Sequence, residues 1–385
     1  MRFEFATSNQ ILFGSGIISE VPTLAASLGQ RVFVATDSFN RCSTLWEGLI
    51  SLGLSVERFL VKKEPDLDSI LLATRNLQEF DGQIVIGFGG GSALDIGKTI
   101  AALKNNPGDP LTYLEIVGSG RPLKNRSVPF IAIPTTAGTG SEVTRNAVIC
   151  IPEKRIKVSL RSPFMLPRIA VIDPELAYSL SPSVTASTGL DALTQLIEPF
   201  VCISPTPLTD AICRDGIIRV ARSLQKACDN GQDADAREDM ALASLFGGLA
   251  LANARLGAVH GMANPIGGYS RAPHGAVCAR LLPLVMETNI HALHTRLPAS
   301  MAIARYAEVA HLLTGDATAS AEAGAGWVRQ LCDSLDIQPL QGYGLNPDDF
   351  LAIVAQSQKA NSMKGNPVSL TDIELLSILQ SAYAC

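Results

Sequence analysis

Polar side chains on one predicted helix raise the first question of chemistry. Between Thr188 and Glu198, the residues Asp191, Gln195 and Glu198 recur at i, i+4 and i+7, which places them on one face beside Leu190, Leu193 and Ile197. Such a stripe is most often a solvated face. Two histidines change its weight. His260 stands in Ala258-Val259-His260-Gly261-Met262 and His274 in Pro273-His274-Gly275-Ala276-Val277, each followed by glycine among apolar residues. One histidine in such surroundings is usually a satisfied core residue. Two of them with Asp191 make one carboxylate and two imidazoles, enough to hold Fe(II) or Zn(II) with positions left open. The other histidines, His291, His294 and His311, have charged or polar neighbours and read as surface residues.

A second set of residues suits a phosphate. Gly87-Phe88-Gly89-Gly90-Gly91-Ser92 follows an apolar run and opens a helical pattern. Glycines there let the backbone approach a pyrophosphate, and a helix N-terminus holds its charge. Ser92 takes the place of the third glycine of the dinucleotide fingerprint, and the spacing to Gly97-Lys98-Thr99 is too long for a P-loop. The turn alone therefore reads equally as a tight structural turn. Pro134-Thr135-Thr136-Ala137-Gly138-Thr139-Gly140-Ser141-Glu142 also follows a buried strand and supplies hydroxyls and glycines. Two such loops meet at the carboxyl edge of an open α/β sheet, where ligands bind; the competing reading is a Ser/Thr loop capping its own helix. Asp37 ends an earlier strand. A carboxylate there accepts from the adenosine ribose and repels a 2′-phosphate, favouring NAD over NADP, although an ordinary turn or N-cap aspartate fits as well.

The elements that must position these residues follow from the apolar pattern. Arg31–Asp37, Val56–Val61, Ile84–Phe88 and Val128–Ile133 read as strands, with helices around 41–52, 66–80 and 93–104 between them. This βαβαβ rhythm predicts a mostly parallel sheet with helices on both faces. Residues 145–160 read as a hairpin and 169–174 as a closing strand. From Ser181 onward Ala and Leu recur at helical spacing, which predicts an α/β domain over 1–180 and an all-α domain over 181–385.

Composition narrows the class. The chain has 385 residues, 47% hydrophobic and 17% charged, which excludes disorder and implies a large core. A net charge of −5, with no basic run longer than Lys62-Lys63, argues against nucleic acid. The start carries no cationic segment followed by an apolar one, so no signal peptide is expected and the protein is placed in the cytoplasm. Ser244–Gly268, the most apolar stretch, is interrupted by Asn253, Arg255, His260 and Asn264 and reads as buried helix rather than a membrane span. Eight scattered cysteines, Cys385 among them, form no zinc-ribbon or disulfide spacing and read as reduced thiols.

Taken together, these motifs resemble the iron-containing (group III) alcohol dehydrogenases nearly from end to end. Phe13-Gly14-Ser15-Gly16, the Gly89–Ser92 turn with Asp95 and Lys98, the Pro134–Glu142 loop, Ser179–Asp191, His260-Gly261-Met262, Pro273-His274-Gly275 and Asn366-Pro367 carry the resemblance. It implies a dehydroquinate synthase-like fold with a dinucleotide-binding domain, a helical domain and a metal in the cleft. It also implies that Asp37, Gly89, Gly90, Gly91, Ser92, Asp95, Thr135, Thr136, Ser141 and Lys157 serve NAD, and that Asp191, His260 and His274 are metal ligands. The expected reaction is hydride transfer between NAD(H) and a small alcohol or aldehyde, with the metal acting through those ligands. Family members are commonly dimers or larger, so a homo-oligomer is expected.

Three positions depart from the family pattern. The fourth ligand, a histidine in the family, is Gln195 here; a histidine one turn after His260 is replaced by Asn264; and an asparagine after the second strand is Asp66. An amide oxygen is a poorer transition-metal ligand than imidazole, which leaves the choice of Fe(II) or Zn(II) open. Gln195 also keeps a second reading in view, a metal-free reductase of an acidic substrate of the maleylacetate reductase kind. A dehydroquinate synthase-like lyase needs several basic residues at the site, and only Arg255 and Arg271 lie near the metal segments.

Overall fold

The computed structural model describes residues 2–384, so Cys385 lies outside the described residues. Two compact units are present. One comprises Ala6–Thr136 and Gly140–Tyr178; the other runs from Ser179 onward and includes Ala137–Thr139 and the described residues before Ala6.

In the first unit, β1 (Gln10–Phe13), β2 (Arg31–Thr36), β3 (Ser55–Leu60), β4 (Ile84–Gly89), β5 (Phe130–Pro134) and β8 (Ile169–Ile172) form one parallel sheet in the order β1-β8-β5-β4-β2-β3. Antiparallel β6 (Asn146–Ile151) and β7 (Ile156–Arg161) form a separate hairpin. The period-two pattern decides which side each residue serves. Val32, Val34, Ile84, Ile86, Ile131 and Ile133 share one core with α1 (Val21–Leu28) and α2 (Ser43–Ser51). Phe33, Ala35, Val85 and Phe130 face the other way, toward α3 (Leu67–Glu79) and α4 (Gly91–Lys104). Burial on both faces is why these strands read as continuous apolar runs. Asp66 starts α3 through a capping box with Ser69.

The helical unit contains α5 (Pro182–Val201), α6 (Pro207–Asp229), α7 (Ala234–Asn253), α8 (Ala258–Tyr269), α9 (His274–Arg296), α10 (Met301–Thr314), α11 (Ala321–Ser334), α12 (Phe350–Lys359) and α13 (Asp372–Ala384). Leu190, Leu193 and Ile197 of α5 and Val277, Leu281 and Leu282 of α9 lie at its centre. The apolar stretch 244–268 is not one helix. It breaks after Asn253 and bends by 96° into α8, so His260 begins a new helix instead of ending an old one. Among the described residues no single helix is long and apolar enough to cross a membrane. None of the seven described cysteines forms a disulfide.

Candidate active site

The order of the sheet reverses between β2 and β4: the chain leaves β2 for the edge strand β3 and returns on the other side of β2 as β4. Open α/β sheets bind ligands beyond the carboxyl ends of strands at such a reversal. Asp37 follows β2 and the glycine turn ends β4. Asp37 Oδ2 accepts the Gly90 N–H at 2.9 Å, joining the two strand ends. Gly89 has φ +151°, and a Cβ there would lie 2.6 Å from Asp37 Oδ2, so only glycine closes this turn without strain. The helix that follows has no side-chain cap. Its first amides, with Gly91 and Ser92 at their head, form a cradle of the kind that holds a pyrophosphate. At the end of β5, Thr135 Oγ1 is buried without a hydrogen-bond partner. These features fit a dinucleotide.

Other residues assigned to the cofactor by resemblance have bonds within the unit. Asp95 accepts from Ser141 Oγ at 2.7 Å and from the Val148 N–H at 2.9 Å. Lys98, one turn further along α4, donates to Ser141 O, Ser141 Oγ, Thr144 Oγ1 and Asn146 O at 2.7–3.0 Å. This network ties the Thr-rich loop and β6 to α4. Burial pulls the Lys98 ammonium down to about 8 despite Asp95 and Glu142, and pushes the neighbouring Glu142 carboxyl up to about 7. Lys157 on β7 is engaged by Glu64 at 2.7–2.8 Å.

In the helical unit, side chains from three helices converge. Asp191 comes from the middle of α5, His260 from the first turn of α8, and His274 opens α9. Asp191 Oδ1 lies 3.5 Å from His260 Nε2 and 3.8 Å from His274 Nε2. Gly275 makes the approach of α9 possible, because a Cβ there would lie 2.7 Å from the backbone oxygen of Ser187 on α5. Asp191 and His260 are almost wholly buried, whereas the His274 side chain is 31% exposed, so the group opens on the His274 side. The convergence also includes Cys278, one turn beyond His274, with all four ligand atoms within 4.8 Å of one another. Gln195 sits one turn from Asp191, buried, with Oε1 lacking a hydrogen-bond partner.

Glu198 supports this group from behind. Its Oε1 accepts the Val259 N–H at 2.7 Å at the N-terminus of α8, and its Oε2 lies 2.6 Å from His260 Nδ1. A proton on Nδ1 leaves Nε2 of the neutral ring as a lone pair beside the Asp191 carboxylate. Neither Asp191 Oδ1 nor His260 Nε2 has a hydrogen bond of good geometry, although both are buried. Burial opposes a charged ring, but Glu198 and Asp191 outweigh it and hold His260 at about 10. Burial also opposes the Asp191 anion, yet His274 and His260 bring its carboxyl below the usual range. A buried imidazole between two carboxylates demands a cation, either a proton or a metal ion. Orphaned oxygen and nitrogen atoms converging in this way fit a divalent metal.

Two of these residues carried no assigned role in the sequence reading. Glu198 is the third member of the α5 stripe, and Cys278 is one of the scattered cysteines, four residues after His274 in the domain expected to be all helical. That spacing places two side chains on one helical face and was the available signal.

The comparisons agree with this geometry. Residues 8–174 match the family model for iron-containing alcohol dehydrogenases, and residues 185–383 match the model for the C-terminal part of the same family. Alcohol dehydrogenase 4 of Schizosaccharomyces pombe is 34% identical over 387 residues, covering 96% of this chain and 87% of that protein. Among solved structures, a 1,3-propanediol oxidoreductase superposes with a TM-score of 0.91 at 30% identity over the full length of both chains. A sulfoacetaldehyde reductase from Bifidobacterium kashiwanohense, solved in complex with NAD+, gives 0.85 at 28% identity, covering 100% of this chain and 99% of that one. The fold and site define an NAD-linked oxidoreductase with a place for a metal. The chain belongs to the iron-containing alcohol dehydrogenase family.

Proposed function

We propose that this enzyme interconverts a small alcohol and its aldehyde, with NAD(H) at the β2/β4 reversal and a divalent ion, Fe(II) or Zn(II), held by Asp191, His260 and His274. Gln195 is the weaker, neutral candidate for a fourth contact. The observation that carries the reading is the pair of buried, unpartnered atoms, Asp191 Oδ1 and His260 Nε2, at the centre of the histidine–carboxylate group. In a metal-free reductase a proton on His260 would have to take the place of that ion. When bound, the ion supplies Lewis acidity that lowers the pKa of an alcohol, and the nicotinamide carries the hydride.

The chain's own residues do the rest. Asp191 contributes the negative charge that retains a cation. Glu198 holds the proton of His260 on Nδ1 and fixes the ring so that Nε2 faces Asp191. The uncapped start of α4 and the Gly89–Gly91 backbone bind the cofactor's phosphates, with Ser92, Thr135, Thr136 and Ser141 beside them. Asp37 accepts from the ribose and disfavours a 2′-phosphate. Asp95 and Lys157 hold the supporting loops through their bonds to Ser141 and Glu64. The reading extends to a cytoplasmic homodimer or larger homo-oligomer that acts on neither nucleic acid nor membranes. The net charge of −5 and the lack of basic runs support the exclusion of nucleic acid.

The test is elemental analysis of protein purified without chelator, with NADH-linked assays on a panel of alcohols and aldehydes. One equivalent of a divalent metal is expected, and His260→Ala or His274→Ala is expected to lose metal and activity together. Full activity in a folded, metal-free variant overturns the metal reading.

A further inference from the structure

At the metal site Gln195 offers only a neutral amide where the family has an imidazole. We propose that the Cys278 thiolate supplies the missing protein ligand, so that one carboxylate, two imidazoles and one sulfur hold the ion. The inference rests on the metal-binding reading above and adds a ligand to it.

Geometry is the first support. His274 and Cys278 lie one turn apart on α9, with Sγ 3.6 Å from His274 Nε2. With the 3.5 Å and 3.8 Å separations of Asp191 Oδ1 from the two imidazoles, three edges of the four-atom group are known. Ligand atoms around a tetrahedral ion with bonds of about 2.0–2.3 Å stand roughly 3.3–3.8 Å apart. The observed edges have that length. Independently of the cysteine, the buried and unpartnered Asp191 Oδ1 and His260 Nε2 point to a cation at this place.

Ligand chemistry is the second support. Cys278 is fully buried, and a thiolate is a stronger ligand for a transition ion than the neutral amide of Gln195. On binding, the S–H bond breaks, a sulfur–metal bond forms, and the proton passes to buffer. Sulfur also shifts preference toward Zn(II), a softer ion than Fe(II). Gln195, one turn from Asp191, is then a buried neighbour of the ion and not a ligand.

The test uses the full chain reloaded with Co(II) after chelation. The expected result is one equivalent of cobalt with a near-ultraviolet thiolate-to-cobalt charge-transfer band. Cys278→Ser is expected to lose the band and to bind cobalt about tenfold or more weakly in competition with a chromophoric chelator. Cys278→Ala, checked by circular dichroism, covers the case in which a buried hydroxyl disturbs α9. One bound cobalt without the band, or unchanged affinity in both folded variants, overturns the cysteine assignment and leaves the metal reading standing. Failure of the unmodified protein to bind cobalt, with its NADH-linked activity retained, overturns both.

Discussion

At the carboxyl edge of the α/β sheet Asp37, Asp95 and Lys98 bond to the protein itself, whereas around Asp191 in the helical unit charged side chains have atoms left over. Asp95 and Lys98 have hydrogen-bond partners within their own unit, and what remains for a ligand is mostly backbone: glycine amides and the open start of α4. Around Asp191 the reverse holds, because the backbone is satisfied in helices while a carboxylate oxygen and an imidazole nitrogen have no partner. A site made of backbone shape tolerates many side-chain changes but not the loss of its glycines. A site made of side-chain atoms depends on each atom.

The largest expected effect tests that dependence directly. Asp191→Asn keeps size and helix but removes the anion, and metal retention and kcat are expected to fall together by about 1,000-fold or more, beyond the roughly 10–100-fold typical of residues behind the ligands. Metal content after dialysis and turnover with NAD(H) check it; near-normal metal content would break the contrast. Glu198→Gln is the next step down. The amide cannot hold the His260 Nδ1 proton as a carboxylate does, so metal affinity is expected to drop by about 10–100-fold, with the KM for NAD little changed. A change in the NAD KM alone would place Glu198 elsewhere in the machinery.

At the backbone-built edge a side-chain change is expected to redirect binding more than abolish it. Asp37→Ala removes the acceptor of the Gly90 N–H and the charge opposing a 2′-phosphate. The ratio of kcat/KM for NADP to that for NAD is expected to rise about tenfold or more, while metal content stays unchanged. An unchanged ratio would return Asp37 to the role of a turn aspartate.

The same contrast explains what the sequence made legible. Strands β2, β4 and β5 were readable because burial on both faces forces apolar runs, and the phosphate turn because glycine has few other reasons to cluster after a strand. His260 and His274 were recognisable by their surroundings, and Asp191 by the stripe on α5. The break between α7 and α8 was not, since both flanks are equally apolar and the first amides of α8 meet side chains remote in the chain: Glu198, 61 residues away, accepts the Val259 N–H, and Asn366 accepts the Ala258 N–H. Nor was Cys278, because nothing local separates a ligand thiol from a core one until α5, α8 and α9 are brought together.

The smallest predicted effect concerns Glu142, the buried acid of the α/β unit that the network does not satisfy. Neither carboxylate oxygen has a well-aligned hydrogen-bond partner, and burial raises the group from 4.5 to about 7. A carboxyl raised on folding contributes stability that is fully present below its unfolded value and is lost as pH rises from about 4.5 through 7. Glu142→Gln, neutral at every pH and nearly the same shape, lacks this loss. The variant is expected to match the parent at pH 4.5 and to be more stable at pH 8 by about 1–3 kcal/mol, read from denaturant midpoints at both pH values. A gap that does not widen with pH would mean that Lys98 already compensates the ionised carboxylate, and that this end of the molecule holds no unsatisfied charge.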